Sequence, residues 1–442
     1  MAAALDPGRW STLTGESGES PPSIGDLVEF VVGPVAHGGV CVARHDGRVV
    51  FVRHALPGER VRARLTELRS RYGRADAVEV LEPSPDRVAA PCPFAGPGRC
   101  GGCDWQHVSV AAQRELKAAV VAEQLRRLAG LDTTVHVEPV PGAPADGLGW
   151  RTRVTFAVAG DGRAGLRRHR SHAIEPIDDC LIAHPRIRDL DVPGRLWPGA
   201  GSVEAIASST GEQSVVIRSA SESGAVRLPE LPEGSSVIID GARMKGRTYV
   251  TEQAAGRPWR VSGGGFWQVH PGAAGILVDA VMAAVQPGPG ERALDLYAGV
   301  GLFAGAMASR VGPQGSVVAV ESDRRAVADA RRNLHGLPWV RLVQGSVDTS
   351  IPGKPVDVVV LDPPRSGAGE KVVRQIAGLG PRAVAYVACD PAALARDVAT
   401  FAALGHVLRD LRAFDLFPMT HHVECVALLE KTGSDLRRSD TR

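Results

Sequence analysis

The feature that most constrains the fold is a regular alternation of helix and strand patterns that begins at Gly263. A helix pattern over 273–285 is followed by short apolar runs at 292–296, 316–320, 340–344 and 356–361. Strands that alternate with helices form parallel sheets with helices on both faces. The pattern therefore predicts a doubly wound, Rossmann-like α/β domain over residues 263–432.

Polar residues and glycines follow the strands of this predicted domain. The carboxyl ends of the strands share one edge of such a sheet, where ligands bind. Gly299 and Gly301 would let the backbone approach a ligand, Glu321 is placed to accept hydrogen bonds from ribose hydroxyls, and Ser346 and Asp362 follow the third and fourth strands. The acidic strand end and the Asp-Pro-Pro loop, without a third glycine, indicate S-adenosylmethionine rather than NAD.

A thiol and a carboxylate follow later apolar runs of the same domain. Cys389 stands in Val-Ala-Cys-Asp-Pro at 387–391, and Glu424 closes the polar stretch after Phe417. A thiolate is a strong nucleophile and a nearby carboxylate can move a proton, so the pair suggests covalent catalysis. Taken alone, a half-buried cysteine and an unrelated surface glutamate explain the pair as well.

Residues 21–86 have the pattern of a small β-barrel. Five short alternating runs lie between Leu27 and Leu81, separated by glycine, proline and Asp-Gly turns. Such OB-like barrels often bind nucleic acid, although a small barrel is also a common protein-docking module. Basic residues crowd this region and a later one: Arg44, Arg48, Arg53, Arg60, Arg62, Arg64, Arg69, Arg71 and Arg74, then Arg163, Arg167, Arg168, His169 and Arg170.

Four cysteines characterise the next region, 87–262, which otherwise predicts a helix over 106–128 and a sheet of mostly antiparallel strands. They are Cys92, Cys100, Cys103 and Cys180. Two cysteines separated by two residues in a glycine-rich loop can chelate one metal centre, and four thiolates bind zinc or an iron–sulfur cluster. The spacing leaves both metals open.

Bulk composition limits the class of protein. The 442 residues exceed one ordinary core, 44% are hydrophobic, and no apolar run approaches a membrane span. Seven unevenly placed cysteines argue against a disulfide framework, and the near-neutral formal charge of +2 does not by itself indicate nucleic acid. We expect a cytoplasmic monomer without membrane partners, with flexible segments at 1–20 and 433–442.

Taken in order, these pieces resemble the RNA (uracil-5-)-methyltransferase family over 25–431. The barrel resembles a TRAM domain, an RNA-binding module. The other matching pieces are the four cysteines, Phe-Trp-Gln-Val at 266–269, Asp-Leu-Tyr-Ala-Gly-Val-Gly at 295–301, Asp-Pro-Pro-Arg-Ser-Gly at 362–367, the cysteine loop with Asp397, and the Phe-Pro-x-Thr-x-His-x-Glu segment ending at Glu424.

The resemblance implies an activity and assigns residues to it. It implies methyl transfer to C5 of a uridine in tRNA or rRNA, with S-adenosylmethionine contacts at Gln268, Tyr297, Glu321 and Asp362. It implies Cys389 as nucleophile, Glu424 as base, and a 4Fe-4S cluster on the four cysteines. Arg365 agrees, because an enzyme that methylates exocyclic nitrogen would place Tyr or Phe after the two prolines.

The chain also departs from the family pattern. His270 stands where Asn is usual, Ala388 and Asp390 flank the cysteine where Ser and Asn are usual, and seven rather than five residues separate the first two cluster cysteines. These differences concern substrate choice and the shape of the cluster loop. Two other functions stay open at this stage: methylation of another RNA position, and RNA binding without catalysis.

Overall fold

The computed structural model describes residues 22–221 and 225–432. Within these ranges the strands form a six-stranded, a seven-stranded, a two-stranded and an eight-stranded sheet. No helix in the described ranges is long and apolar enough to cross a membrane. The flexible segments predicted at 1–20 and 433–442 lie outside the described residues.

The first sheet is the predicted barrel. Its strands are β1 (Leu27–Val31), β2 (Val35–Ala36), β3 (Val40–His45), β4 (Arg48–Arg53), β5 (Arg60–Leu68) and β6 (Tyr72–Glu82), in the order β1-β5-β6-β4-β3-β2. Five match the predicted runs, and β2 is additional. The chain after β1 closes the barrel, because the Gly33 amide donates to the Val42 carbonyl at 2.7 Å. A Cβ at Gly33 would lie 2.8 Å from that oxygen, so the closure requires glycine.

A helix then crosses from the barrel to the large sheet. The predicted helix over 106–128 begins later, as α1 (Val110–Gln124), because the Ser109 side chain caps it by accepting from the Ala112 amide. The chain widens into a π-helical turn at Leu125–Ala129, which changes the helical phase. Leu128, expected on the apolar stripe, is therefore 39% exposed. β7 (Val137–Pro139) follows and joins the edge of the eight-stranded sheet.

The central sheet is mostly antiparallel, as its sequence predicts. Its elements, with the hairpin that follows, are β8 (Arg153–Val158), β9 (Ala164–Arg167), β10 (Ile174–Pro176), α2 (Pro185–Arg188), β11 (Ala200–Ala207), β12 (Gln213–Ser219), β13 (Ser236–Ile239), β14 (Ala242–Lys245), β15 (Tyr249–Ala254) and β16 (Arg257–Ser262). The order is β10-β9-β8-β11-β12-β13-β14. Only β12 and β13 pair in parallel among these described strands.

The eight-stranded sheet carries the predicted Rossmann-like domain. Its elements are α3 (Ala273–Val285), β17 (Arg292–Leu296), α4 (Leu302–Val311), β18 (Ser316–Glu321), α5 (Arg324–Asn333), β19 (Val340–Gln344), α6 (Val347–Ser350), β20 (Val358–Leu361), α7 (Gly369–Gly378), β21 (Ala383–Ala388), α8 (Pro391–Ala403), β22 (His406–Asp415) and β23 (Glu424–Lys431). The strand order is β19-β18-β17-β20-β21-β23-β22-β7.

The strand directions in this sheet decide where the polar residues meet. The five strands from β19 to β21 are parallel, and every residue of β20 and β21 is buried, as expected for strands covered on both faces. β23 runs antiparallel to β21, with Cys425 opposite Ala388. The start of β23 therefore lies at the edge where β20 and β21 end.

Candidate active site

Three acidic or nucleophilic groups meet at this edge of the sheet. Asp362 follows β20, Cys389 follows β21, and Glu424 begins β23, on three adjacent strands. Glu424 is buried and Cys389 is half-buried. The hairpin geometry, rather than proximity in sequence, places the predicted nucleophile next to the predicted base.

Burial and neighbouring negative charges raise the pKa of both Cys389 and Glu424. Burial first, and then the charges of Glu424 and Asp362, raise the pKa of the Cys389 thiol to about 12, while Arg365 acts in the opposite direction. Burial and the charge of Asp362 also raise the pKa of Glu424 well above its ordinary value. Arg365 is thus the cation that favours ionisation of both groups.

A cavity of about 150 Å³ opens at Cys389. Its lining includes Arg365, Cys389 and Asp390, the neighbouring histidines His421 and His422, and residues of the barrel. A guanidinium nitrogen of Arg365 lies 3.2 Å from the His422 Nε2. Burial first, then the charges of His421 and Arg365, lower the pKa of His422 to about 3, so this imidazole is neutral near pH 7.

The loop between β22 and β23, residues 416–423, is held by α1. The Gln113 side chain accepts from the Met419 amide at 2.7 Å and donates to the Val108 carbonyl at 2.9 Å. Lys117 donates to the Asp415 carboxylate at 2.5 Å and to the Phe417 carbonyl at 3.1 Å. Met419 has φ +66°, a left-handed conformation that these contacts stabilise in a residue other than glycine.

The same loop is held from the side of the cysteine-rich segment. The Asp104 carboxylate lies 2.6 Å from His421 Nδ1 and accepts from Arg53 of the barrel at 3.2 Å. Burial raises the pKa of Asp104, but the hydrogen bond from His421 and the charges of His421 and Arg53 lower it further, so the net shift is downward. Trp105 adds a backbone bond to the Met419 carbonyl at 3.0 Å.

The glycine turn after β17 forms an open cradle. Gly299 has φ +56°, and a Cβ added there would meet open space. Its amide donates to the Glu321 carboxylate at 2.9 Å, which also accepts from the Asp323 amide at 2.7 Å. A Cβ at Gly301 would instead lie 2.7 Å from the Leu334 side chain, so that glycine is required by packing.

The other residues predicted to contact the cofactor lie in different environments. Tyr297 follows β17 with φ +63°, and burial, with the charges of Asp397 and Asp348, raises its pKa to about 12. Ser346 follows β19 and donates to Asp348 at 2.5 Å. Gln268 lies half-buried between β16 and α3, and makes no side-chain hydrogen bond within the described chain.

Two aspartates, Asp295 and Asp397, were not among the candidate site residues predicted from the sequence. Asp295 is fully buried in β17, where one oxygen accepts from the Ala304 amide at 2.7 Å and the other has no protein partner. Asp397 accepts from Tyr386 at 2.7 Å and from the Ala368 amide at 2.8 Å, which fixes the loop after Asp362. Asp295 could have been identified from the sequence, because it is a charged residue within an otherwise apolar strand pattern.

The four predicted ligand cysteines line one small cavity. They are Cys92, Cys100, Cys103 and Cys180, all free thiols. Burial raises the pKa of Cys180 to about 11 and also raises the pKa of Cys100 and Cys103. Within residues 22–221 and 225–432, no three His, Cys, Asp or Glu side chains are arranged to hold a single metal ion.

The two arginine-rich segments meet across a larger groove, which we call the barrel groove. It has a volume of about 590 Å³, with Arg53 and Arg74 on the barrel side and Arg168, His169 and Arg170 on the other. Arg60 and Arg62 have another environment, because they form ion pairs with the barrel carboxylates Glu29, Glu79 and Glu82. Most groove arginines also have carboxylate partners, because Arg53 pairs with Asp104, Arg74 with Glu67 and Arg168 with Glu175. Arg170 lines the groove without such a partner among the described residues.

Comparison with known proteins agrees with the fold and identifies the family. The tRNA (uracil-5-)-methyltransferase profile matches residues 348–432, the TRAM domain profile matches 22–78, and the methyltransferase small domain profile matches 272–378. The tRNA (uracil-54, C5)-methyltransferase of Pyrococcus abyssi, solved in complex with S-adenosyl-L-homocysteine, has a TM-score of 0.68 at 23% identity. The match covers 91% of this chain and 100% of that one, which shows a shared fold.

Two relatives match nearly the whole sequence. A Streptomyces avermitilis protein named uncharacterized RNA methyltransferase is 54% identical over 93% of this chain and 100% of its own. The 23S rRNA (uracil(1939)-C(5))-methyltransferase RlmD of a Shewanella species is 32% identical over 91% of this chain and 95% of its own. These matches confirm the resemblance inferred from the motifs, and the chain therefore belongs to the RNA (uracil-5-)-methyltransferase family.

Proposed function

We propose that this enzyme methylates C5 of a uridine in tRNA or rRNA through a covalent adduct with Cys389. One observation carries the proposal: the thiol of Cys389 and the carboxyl groups of Glu424 and Asp362 meet at the carboxyl edge of three adjacent strands. The RlmD relative, named for uracil C5 methylation of 23S rRNA, supports this reaction type.

The chemistry of uracil explains why both groups are needed. C5 is too weak a nucleophile to attack a methyl sulfonium directly. Addition of the Cys389 thiolate to C6 forms an enolate whose C5 can accept the methyl group. Glu424 then removes the C5 proton, and the thiolate leaves C6. S-adenosylmethionine supplies the methyl group.

The residues at the glycine turn fit that cofactor. The space above Gly299 and the carboxylate of Glu321 suit a ribose, and Tyr297, Gly301, Ser346 and Gln268 are the other proposed contacts. Asp362 is half-buried beside Glu424, and burial raises its pKa to about 7. A carboxyl group that titrates near neutral pH suits contact with a cationic ligand.

We also propose that the four cysteines bind a 4Fe-4S cluster. All four line one cavity, and burial opposes the ionisation that a metal would favour. The Arg151 guanidinium interacts with Cys180 and Cys103, which would offset the negative charge of four thiolates. The Gly101 amide donates to the Arg167 carbonyl at 3.0 Å, so the cysteine loop supports the arginine segment.

RNA is the proposed partner of the barrel groove. Arg74 lies over Phe51 and Tyr72, with its guanidinium carbon 5.6 and 5.4 Å from the ring centres, and Arg170 faces the same groove. Arginine beside aromatic rings suits phosphates and unstacked bases. The proposed domain division is a TRAM-like barrel over 21–86, a central cluster and RNA-facing domain over 87–262, and a methyltransferase domain over 263–432.

Trapping with RNA that carries 5-fluorouridine tests the covalent mechanism. The adduct persists after methyl transfer, because C5 then carries fluorine instead of the proton that Glu424 must remove. The wild-type protein should form an RNA adduct that survives a denaturing gel, and Cys389→Ala should not. Cys425→Ala is the control, since that thiol is fully buried in β23. Adduct formation by Cys389→Ala would refute the assignment, and mass mapping of 5-methyluridine would identify the target.

A further inference from the structure

A hairpin of the barrel forms part of the wall around Cys389. The turn between β2 and β3 carries His37, Gly38 and Gly39, and all three line the 150 Å³ cavity that contains Cys389. The Gly39 carbonyl accepts from the Trp105 indole at 3.0 Å, which fixes the tip of the hairpin. The barrel is therefore in direct contact with the proposed catalytic site.

The approach of this hairpin is as close as the backbone permits. A Cβ at Gly39 would lie 2.5 Å from the Cβ of His421, and Gly39 has φ +74°. Gly38 also has a left-handed φ, +89°, but a Cβ there would meet open space. Close packing against the loop at 416–423 is thus specific to Gly39.

His37 contacts the residue that follows the nucleophile. Its Nε2 lies 3.0 Å from the Asp390 carboxylate, and the other Asp390 oxygen accepts from the Ala393 amide at 2.8 Å, capping α8. Asp390 is one of the positions where this chain departs from the family pattern. A carboxylate beside Cys389 opposes formation of the thiolate, which is the form that attacks.

We infer that His37 is a positioning residue for Cys389, because its imidazolium both fixes the Asp390 turn and offsets the carboxylate charge beside the nucleophile. The inference rests on the proposed role of Cys389 and assigns the barrel a part in catalysis besides RNA binding. The aspartate next to the cysteine and the histidine of the hairpin act as one pair.

The charged surroundings agree with a protonated His37. The hydrogen bond with Asp390 is the largest cause of the raised pKa of His37, and the charge of Glu123 adds to it. Burial and the charge of Arg396 act in the opposite direction. The positive charge is therefore present at low pH and is lost as pH rises through this raised pKa. Burial raises the pKa of Asp390, but His37 and the Ala393 amide lower it by more, so the net shift is downward. The Asp390 carboxylate is therefore ionised over the pH range in which His37 titrates.

The pH dependence of Cys389 alkylation tests the pair without RNA or methyl transfer. Iodoacetamide reacts with the thiolate, and peptide mass spectrometry of the full-length protein reports Cys389 separately from the other six cysteines. Near pH 7, His37→Gln should slow alkylation of Cys389 on the order of threefold, the range for partly exposed charge pairs. Asp390→Asn added to His37→Gln should restore the rate, because it removes the uncompensated charge.

Two outcomes would overturn the inference. One is a His37→Gln profile that coincides with the wild type from pH 6 to 9. The other is a double variant that stays as slow as the single one, since the histidine would then act on the fold and not through the charge of Asp390. Failure of the proposed function would look different, because the wild-type protein would not be trapped by 5-fluorouridine RNA whatever its alkylation profile.

Discussion

The ammonium group of Lys117 in α1 lies 2.5 Å from the Asp415 carboxylate at the end of β22, and both side chains are buried. Lys117 also donates to the Phe417 carbonyl at 3.1 Å. An ion pair taken out of water is tolerated only when its geometry is good and further hydrogen bonds are made, as they are here. The pair connects α1 to the loop that leads to Glu424.

Lys117→Met should be strongly destabilising, because it leaves the Asp415 carboxylate buried without its cation. Loss of one partner of a buried pair costs about 3–5 kcal/mol of unfolding free energy. Urea unfolding measures the change. Lys371→Met is the control, since its pair with Asp348 is exposed and such pairs contribute about 0–1 kcal/mol. Equal effects of the two substitutions would show that the buried pair has no special role.

Arg365→Gln should shift adduct formation to higher pH. Arg365 lowers the pKa of Cys389, which burial raises to about 12, so its loss raises that pKa further. Below its pKa, a thiolate fraction falls tenfold for each unit by which the pKa rises. The rate of trapping by 5-fluorouridine RNA should therefore be lower at pH 7 and recover as pH increases. A uniform loss at every pH would indicate that Arg365 acts on RNA binding instead.

Glu424→Gln should methylate C5 and then stall, because the amide cannot accept the C5 proton. An RNA adduct should accumulate on ordinary uridine substrate, visible on denaturing gels, where the wild-type protein turns over. Glu370→Gln provides a control, since that exposed glutamate on α7 pairs only with Arg374 among the described contacts. Normal turnover by Glu424→Gln would remove Glu424 from the mechanism.

If the four cysteines bind an iron–sulfur cluster, the protein should be brown when it is purified without oxygen. About four irons per chain are expected for a cluster held by four thiolates. Cys103→Ser should lose iron and loosen the adjoining Asp104, which contacts His421 at 2.6 Å. Metal analysis with hydrogen exchange of residues 416–423 measures both effects. A colourless wild-type protein with one zinc would contradict the cluster.

The Rossmann-like domain could be predicted well from the sequence, because its helices and strands are marked by patterns of neighbouring residues. The helix predicted over 273–285 is α3, and the predicted strands coincide with β17, β18, β19 and β20, although the last prediction begins two residues before β20. Each is a continuous apolar run or an amphipathic period, and its ends are marked by glycine or an acidic residue. The meeting of Asp362, Cys389 and Glu424 at one edge depends in addition on the antiparallel direction of β23, which the local sequence did not predict.

The contacts around the site could not be predicted, because they join residues that are remote in sequence. Lys117 reads as a solvated charge on a helix, and its partner lies 298 residues away. His37 and Asp390 are 353 residues apart. A single sequence likewise does not show which arginines of a crowded segment have carboxylate partners, as Arg62 has in Glu29 and Glu79.

That difference among the arginines gives a prediction about RNA binding. Arg170 lines the barrel groove without a carboxylate partner among the described residues, whereas Arg62 lies outside the groove and pairs with Glu29 and Glu79. Each phosphate contact releases condensed counterions, so losing one contact reduces the slope of log affinity against log salt by about 0.7–0.9. Changing Arg170 to Gln should weaken binding of a substrate stem-loop and flatten this slope.

The matched control changes Arg62 to Gln, which removes the same formal charge from an arginine that is already paired with carboxylates. Its salt slope should stay near that of the wild type, because the Arg62 guanidinium group is already satisfied by Glu29 and Glu79. Catalysis on saturating RNA should change little in either variant, since phosphate contacts position the substrate while the chemistry takes place at Cys389. If the groove variant kept the wild-type slope, the RNA backbone would have to follow another surface of the protein.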